Sequence, residues 1–99
     1  MTLDDFQVSV KAAAQPPADV SPTLQALWYD ARGDWDRAHQ LAQDVESPEG
    51  AWVHAYLHRK EGDPDNARYW YTRAGRRESQ VSLSQEWEEI ARALLSAGE

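Results

Sequence analysis

Apolar residues recur along this chain at helical spacing in six stretches, and nearly every stretch is bounded by residues that start or stop a helix. Leu3, Phe6, Val10 and Ala13 lie three or four apart, the one-sided stripe of an amphipathic helix. Thr2 stands where it can cap that helix, Asp4 and Asp5 fall in its opening turn, and Gln15-Pro16-Pro17 should end it near Ala14. Ser21-Pro22 opens a second helix with the stripe Leu24, Leu27, Trp28 and Ala31, and Gly33 closes it. Asp34 caps a third, whose inward side is Trp35, Ala38, Leu41, Ala42 and Val45. Ser47-Pro48 starts a fourth with Trp52, Val53, Tyr56 and Leu57 toward the core, and Gly62 ends it. Asp63-Pro64 starts a fifth with Ala67, Trp70, Tyr71 and Ala74 inward. After a polar loop from Gly75 to Ser82, the residues Leu83, Trp87, Ile90, Ala91, Leu94 and Leu95 define a sixth, started by Ser82 or Ser84 and closed near Gly98.

The middle of the chain repeats itself. Aligning Gly33-Asp34-Trp35-Asp36-Arg37-Ala38 with Gly62-Asp63-Pro64-Asp65-Asn66-Ala67 brings Leu24 onto Val53, Ala26 onto Ala55, Trp28 onto Leu57 and Leu41 onto Trp70. A period of roughly 30 residues in helix–turn–helix units is the mark of stacked hairpins, each leaving an apolar face for its neighbour to cover. The expected architecture is therefore all-α with six helices. Two stacked antiparallel hairpins, about 22–45 and about 48–74, are flanked by one capping helix at each end, the last at about 83–96, and residues 1–99 form one helical-repeat domain.

Small and aromatic positions around each turn resemble the tetratricopeptide repeat: Ala26, Tyr29, Gly33 and Ala38 in the first copy, Ala55, His58, Gly62 and Ala67 in the second, then Tyr71 and Ala74. The likeness covers about half the chain. It departs from the family pattern in its shorter spacing, in His58 at an aromatic position and in having two copies only. Stretches such as Trp28-Tyr29-Asp30-Ala31-Arg32-Gly33-Asp34-Trp35 are also similar to small bacterial proteins without an assigned activity. What the tetratricopeptide resemblance implies is a non-catalytic scaffold that binds a protein or peptide; self-association is a second form of the same expectation.

Composition narrows the alternatives. A chain of 99 residues buries about 65% of its unfolded surface, enough for one core. Without cysteine there is no disulfide or thiolate site, so a metal would need imidazole and carboxylate ligands. The N-terminal residues lack the basic start and apolar run of a secretory signal, and no stretch is long and apolar enough for a membrane span, so a cytoplasmic setting is expected. The net charge of -7 opposes general nucleic-acid binding, because phosphates would be repelled over most of the surface. Charge is uneven, however: residues 1–50 carry nine acids and three bases (-6), 51–82 four acids and six bases (+2), 83–99 four acids and one base (-3). Arg68, Arg73, Arg76 and Arg77 concentrate at the end of the fifth helix, where cations also suit the helix dipole.

Candidate chemistry lies on the second hairpin. His54, His58 and Glu61 at i, i+4 and i+7 share one stripe of the fourth helix. Two imidazoles one turn apart with a carboxylate can converge on a divalent ion, although the Glu between the histidines of a zinc-protease helix is missing. Asn66, Tyr69, Trp70 and Arg73 form a second stripe, at i, i+3, i+4 and i+7 of the fifth helix. Side by side, the two stripes would make a groove of imidazole, phenol, amide and guanidinium groups, able to hold a carboxylate or phosphate. The binding surface expected from these patterns is Trp52, His54, His58, Arg59, Asn66, Tyr69, Trp70 and Arg73, rich in the aromatic and Arg anchors of interfaces. A small-molecule or metal-binding protein, or an enzyme, using His54, His58 and Glu61 with Asn66, Tyr69 and Arg73 is the rival. No phosphate-cradling glycine loop, cofactor motif or nucleophile elbow is present. His39, beside Trp35 and Gln43, reads as a surface or edge residue, and Glu86, Glu88 and Glu89 read as a solvated outer face.

Overall fold

The computed structural model describes residues 1–99 and contains helices only: α1 (Leu3–Ala12), α2 (Pro22–Ala31), α3 (Trp35–Gln43), α4 (Pro48–Glu61), α5 (Pro64–Ala74) and α6 (Leu83–Ser96). Each start has a side-chain cap. Thr2, Ser21, Asp34, Ser47, Asp63 and Ser82 each accept the backbone N–H three residues on, satisfying a donor that the helix cannot pair for itself. Gly33 and Gly62 hold φ at +86° and +87°, a left-handed turn that reverses the chain and that side chains with a Cβ adopt only at a cost. These turns produce the hairpins α2–α3 and α4–α5, which pack on each other through α3 and α4.

The core is centred on α4. Every residue from Gly50 to His58 is buried, because α4 packs against α2, α3, α5 and α6, and a helix enclosed on all sides has no solvated face to offer. Ala38 and Ala42 of α3 and Ala67 of α5 are buried beside it; their small side chains permit the close approach. Leu24, Leu27 and Trp28 of α2 and Ile90, Ala91 and Leu94 of α6 complete the core with Phe6, and burying each large apolar side chain stabilises the fold by about 2 kcal/mol. Ala31, expected on the apolar stripe of α2, is exposed because it is the last residue of that helix and lies next to the turn.

Two buried carboxylates tie the outer helices to α4. The Asp30 carboxylate of α2 accepts from the Tyr56 hydroxyl at 3.1 Å and from Lys60 Nζ at 2.9 Å. Glu86 of α6 is 1% exposed and accepts from Trp52 Nε1 at 3.3 Å, the Tyr71 hydroxyl at 2.6 Å and Arg59 Nη1 at 2.9 Å. The solvated face expected for α6 is thus corrected at Glu86, which turns inward because three donors of α4 and α5 converge there. Glu89 is exposed as expected, and Glu88 is half-buried.

Helix α1 lies at the edge and ends at Ala12, slightly short of the expected stop. Phe6 stacks on Trp87 of α6 with ring centroids 5.8 Å apart, and Trp28 Nε1 donates to Ser9 Oγ at 3.2 Å. Arg32, just beyond α2, donates to the carbonyls of Val10 at 2.9 Å and Ala13 at 2.5 Å. No helix is long and apolar enough to cross a membrane.

Candidate functional site

Where α3 meets α4, three imidazoles come together. His39 is placed one turn after Trp35 on α3, and its Nε2 lies 2.9 Å from Nε2 of His54. His54 and His58, one turn apart on α4, have ring centroids 4.8 Å apart, and the His39 centroid is 4.5 Å from the first and 5.1 Å from the second. Indoles wall the cluster on two sides. Trp70 of α5 stacks on His54 at 3.8 Å, while Trp35 stacks on His39 at 4.9 Å and anchors itself by donating from Nε1 to the Leu57 carbonyl at 2.9 Å.

The hydrogen-bond state of each ring differs. Glu61 Oε1 stands 2.6 Å from His58 Nδ1, a contact in which that nitrogen donates and the carboxylate accepts. His54 is 4% exposed and its Nδ1 is buried with no partner. Buried polar atoms in native folds are nearly always paired, which makes this nitrogen an exception. Burial, and then the neighbouring His39 and His58, push the His54 pKa down to about 3. Burial and His58 also lower the pKa of His39, against the opposite pull of Glu61 and Asp36. Both rings are therefore neutral near pH 7, the form that donates a lone pair to a metal. One side-chain nitrogen from each histidine lies within 4.8 Å of the other two, and His58, Glu61 and Asp63 form a second group of the same kind.

The expected stripe is thus joined by a residue from another helix. His39, expected at the surface or the edge, is an edge residue. It is half-buried because Ala38 and Ala42, on either side of it in sequence, let α3 approach α4 closely, and that pair of small residues was the available signal. Glu61 pairs with His58 alone among the imidazoles.

The eight residues expected to share one surface occupy two sides of α4. His54, His58 and Trp70 meet in the cluster, with Arg73 at its rim. The Arg73 guanidinium lies 5.2 Å from the Trp70 ring and 5.8 Å from the Tyr69 ring, and it donates to the Tyr69 hydroxyl at 3.0 Å. Tyr69 is 53% exposed. Asn66 is engaged at the start of α5, where its N–H and side-chain amide both bond to Asp63. Trp52 and Arg59 belong to the Glu86 network on the other side, where Arg59 also donates to the Val81 carbonyl and Arg76 covers the Trp52 ring at 3.4 Å.

Two clefts adjoin these groups, and a third lies apart from them. One of about 380 Å³ runs along the α3–α4 turn to Trp70 and Arg73; one of about 130 Å³ lies between Pro48, Trp52 and Arg76. A larger one, about 570 Å³, opens beneath α1 and includes Asp30, Tyr56, Lys60 and Trp87. No known protein family, curated protein or solved structure matches the chain.

Proposed function

We propose that the protein is a non-catalytic binding scaffold of helical-repeat, tetratricopeptide-like type, working in the cytoplasm, and that its partner is an acidic segment of another protein. The observation that carries this reading is the exposed end of α5, where Tyr69 is 53% exposed and Arg73 spans Tyr69 and Trp70 without a carboxylate partner. None of the ion pairs in the molecule includes Arg73, Arg76 or Arg77. Arg73 over Tyr69 and Trp70, beside a cleft of about 380 Å³, and Arg76 over Trp52, beside one of about 130 Å³, offer bidentate carboxylate recognition together with apolar contact. The rest of the surface is acidic, so an acidic ligand is steered to this end and repelled elsewhere.

Fluorescence anisotropy with labelled Asp/Glu-rich peptides carrying one aromatic residue tests the proposal. The peptides should bind the wild-type protein, with affinity falling as salt is raised, and the Tyr69→Ala, Arg73→Ala double variant should bind about tenfold or more weakly with its helical circular dichroism intact. Equal affinity in the double variant, or binding no better than that of charge-neutral peptides of the same length, removes the proposal. Light scattering on the protein alone separates self-association, the alternative occupant, from capture of another chain.

A further inference from the structure

We propose that His39, His54 and His58 bind one divalent transition-metal ion of the zinc class, with Glu61 holding the His58 ring from outside the coordination shell. Three imidazoles converging from two helices are a ligand set suited to zinc, copper, nickel or cobalt and unsuited to magnesium or calcium, which prefer oxygen. Metal-bound histidines characteristically give their second ring nitrogen to a carboxylate, and the 2.6 Å contact from Glu61 to His58 Nδ1 supplies that arrangement, directing Nε2 as the ligand atom. His39 and His54 already point Nε2 at each other across 2.9 Å. Tetrahedral zinc with bonds of about 2.05 Å requires neighbouring ligands roughly 3.3 Å apart, so the two rings need part by only a few tenths of an ångström.

A purely structural role accounts poorly for the same atoms. His54 is nearly fully buried, yet its one polar partner is another imidazole, His39, whose own Nε2 is the atom it meets. Trp35 and Trp70, stacked on the outer two rings, fix the ring planes before any ion arrives, which lowers the ordering cost of binding. Three protein ligands leave a fourth position open on the side of the half-buried His39, as in zinc sites that hold water or a small ligand.

The test is titration of the chelator-treated full-length chain with zinc chloride by calorimetry, with competition against a chromophoric chelator to set the affinity. One ion per chain is expected, with the intrinsic tryptophan fluorescence changing in step, since Trp35 and Trp70 stack on the cluster. Because His39 is only half-buried, His39→Gln is the variant least prone to unfold; it should weaken zinc by at least tenfold, and Glu61→Gln by roughly 10- to 100-fold, each with an unchanged helical spectrum. Tyr69→Ala with Arg73→Ala, which touch none of the three rings, should bind zinc as the wild type does, so failure of the peptide proposal and failure of this one remain distinguishable. No one-to-one binding by the wild type, or wild-type affinity in both His39→Gln and Glu61→Gln, overturns the inference.

Discussion

Two polar clusters are buried against opposite sides of α4, and they differ in how completely their atoms are used. Around Glu86, both carboxylate oxygens are occupied by Trp52, Tyr71 and Arg59, and burial followed by the Glu86 contact raises the Tyr71 pKa, keeping that hydroxyl a donor. Around His54, two imidazoles share one contact and a third nitrogen has nothing. The first cluster is closed and fixes α6 to the hairpin. The second is open, with no internal donor and acceptor set that satisfies it, and that difference separates a polar cluster whose hydrogen bonds are complete from one whose bonds are not.

Mutation should expose the contrast. Glu86→Ala leaves the Arg59 guanidinium and two further donors without their acceptor, and is expected to cost about 3 kcal/mol or more of stability, read from urea unfolding. Loss of well under 1 kcal/mol would show that this cluster is not closed in the sense argued.

Acid should act on the open cluster. In chelator-treated protein the folded-state pKa of His54 is about 3 against an ordinary 6.5, so below pH 6.5 the unfolded chain binds the proton that the folded one refuses. Stability is fully present above pH 6.5 and falls as pH drops toward 3, by at most about 1.4 kcal/mol per pH unit for this ring. His39, also lowered, adds to the upper part of that window. Urea unfolding between pH 7 and pH 5 should show the decline, and a flat profile would place a partner on His54.

The smallest effect is expected from His54→Leu in chelator-treated protein. Removing a ring whose polarity is already unmatched, and filling its place with an apolar side chain, should change stability by under about 1 kcal/mol, because the half-buried His39 can turn its freed nitrogen to water. A loss as large as that of Glu86→Ala would erase the distinction between the two clusters.

The caps and turns were legible in the residues themselves. Ser21-Pro22, Ser47-Pro48 and Asp63-Pro64 start helices, and Gly33 and Gly62 stop them, by local chemistry that needs no knowledge of neighbours. The cluster was half legible. His54 and His58 share a stripe by helical geometry alone, whereas His39 joins them only through the packing of α3 on α4, a contact between helices that periodicity does not encode. Glu86 misleads for the same reason. Its neighbours Glu88 and Glu89 suggest a charged exterior, and only the convergence of Arg59, Trp52 and Tyr71 from two other helices draws it inside. Trp52 and Arg59 face Glu86 instead of the histidines, because residue type alone says nothing about which side of a helix a side chain takes.

The bonds from Arg32 to Val10 and Ala13 bear on how the first two helices depend on each other. Helix α1, with 10 residues, is too short to persist alone in water, and the carbonyls at its end find their protein donors on a side chain that follows a different helix. The same shortness holds for α2, also of 10 residues, so the end of α1 and the side chain that follows α2 each complete what the other lacks, and the two helices are coupled in stability.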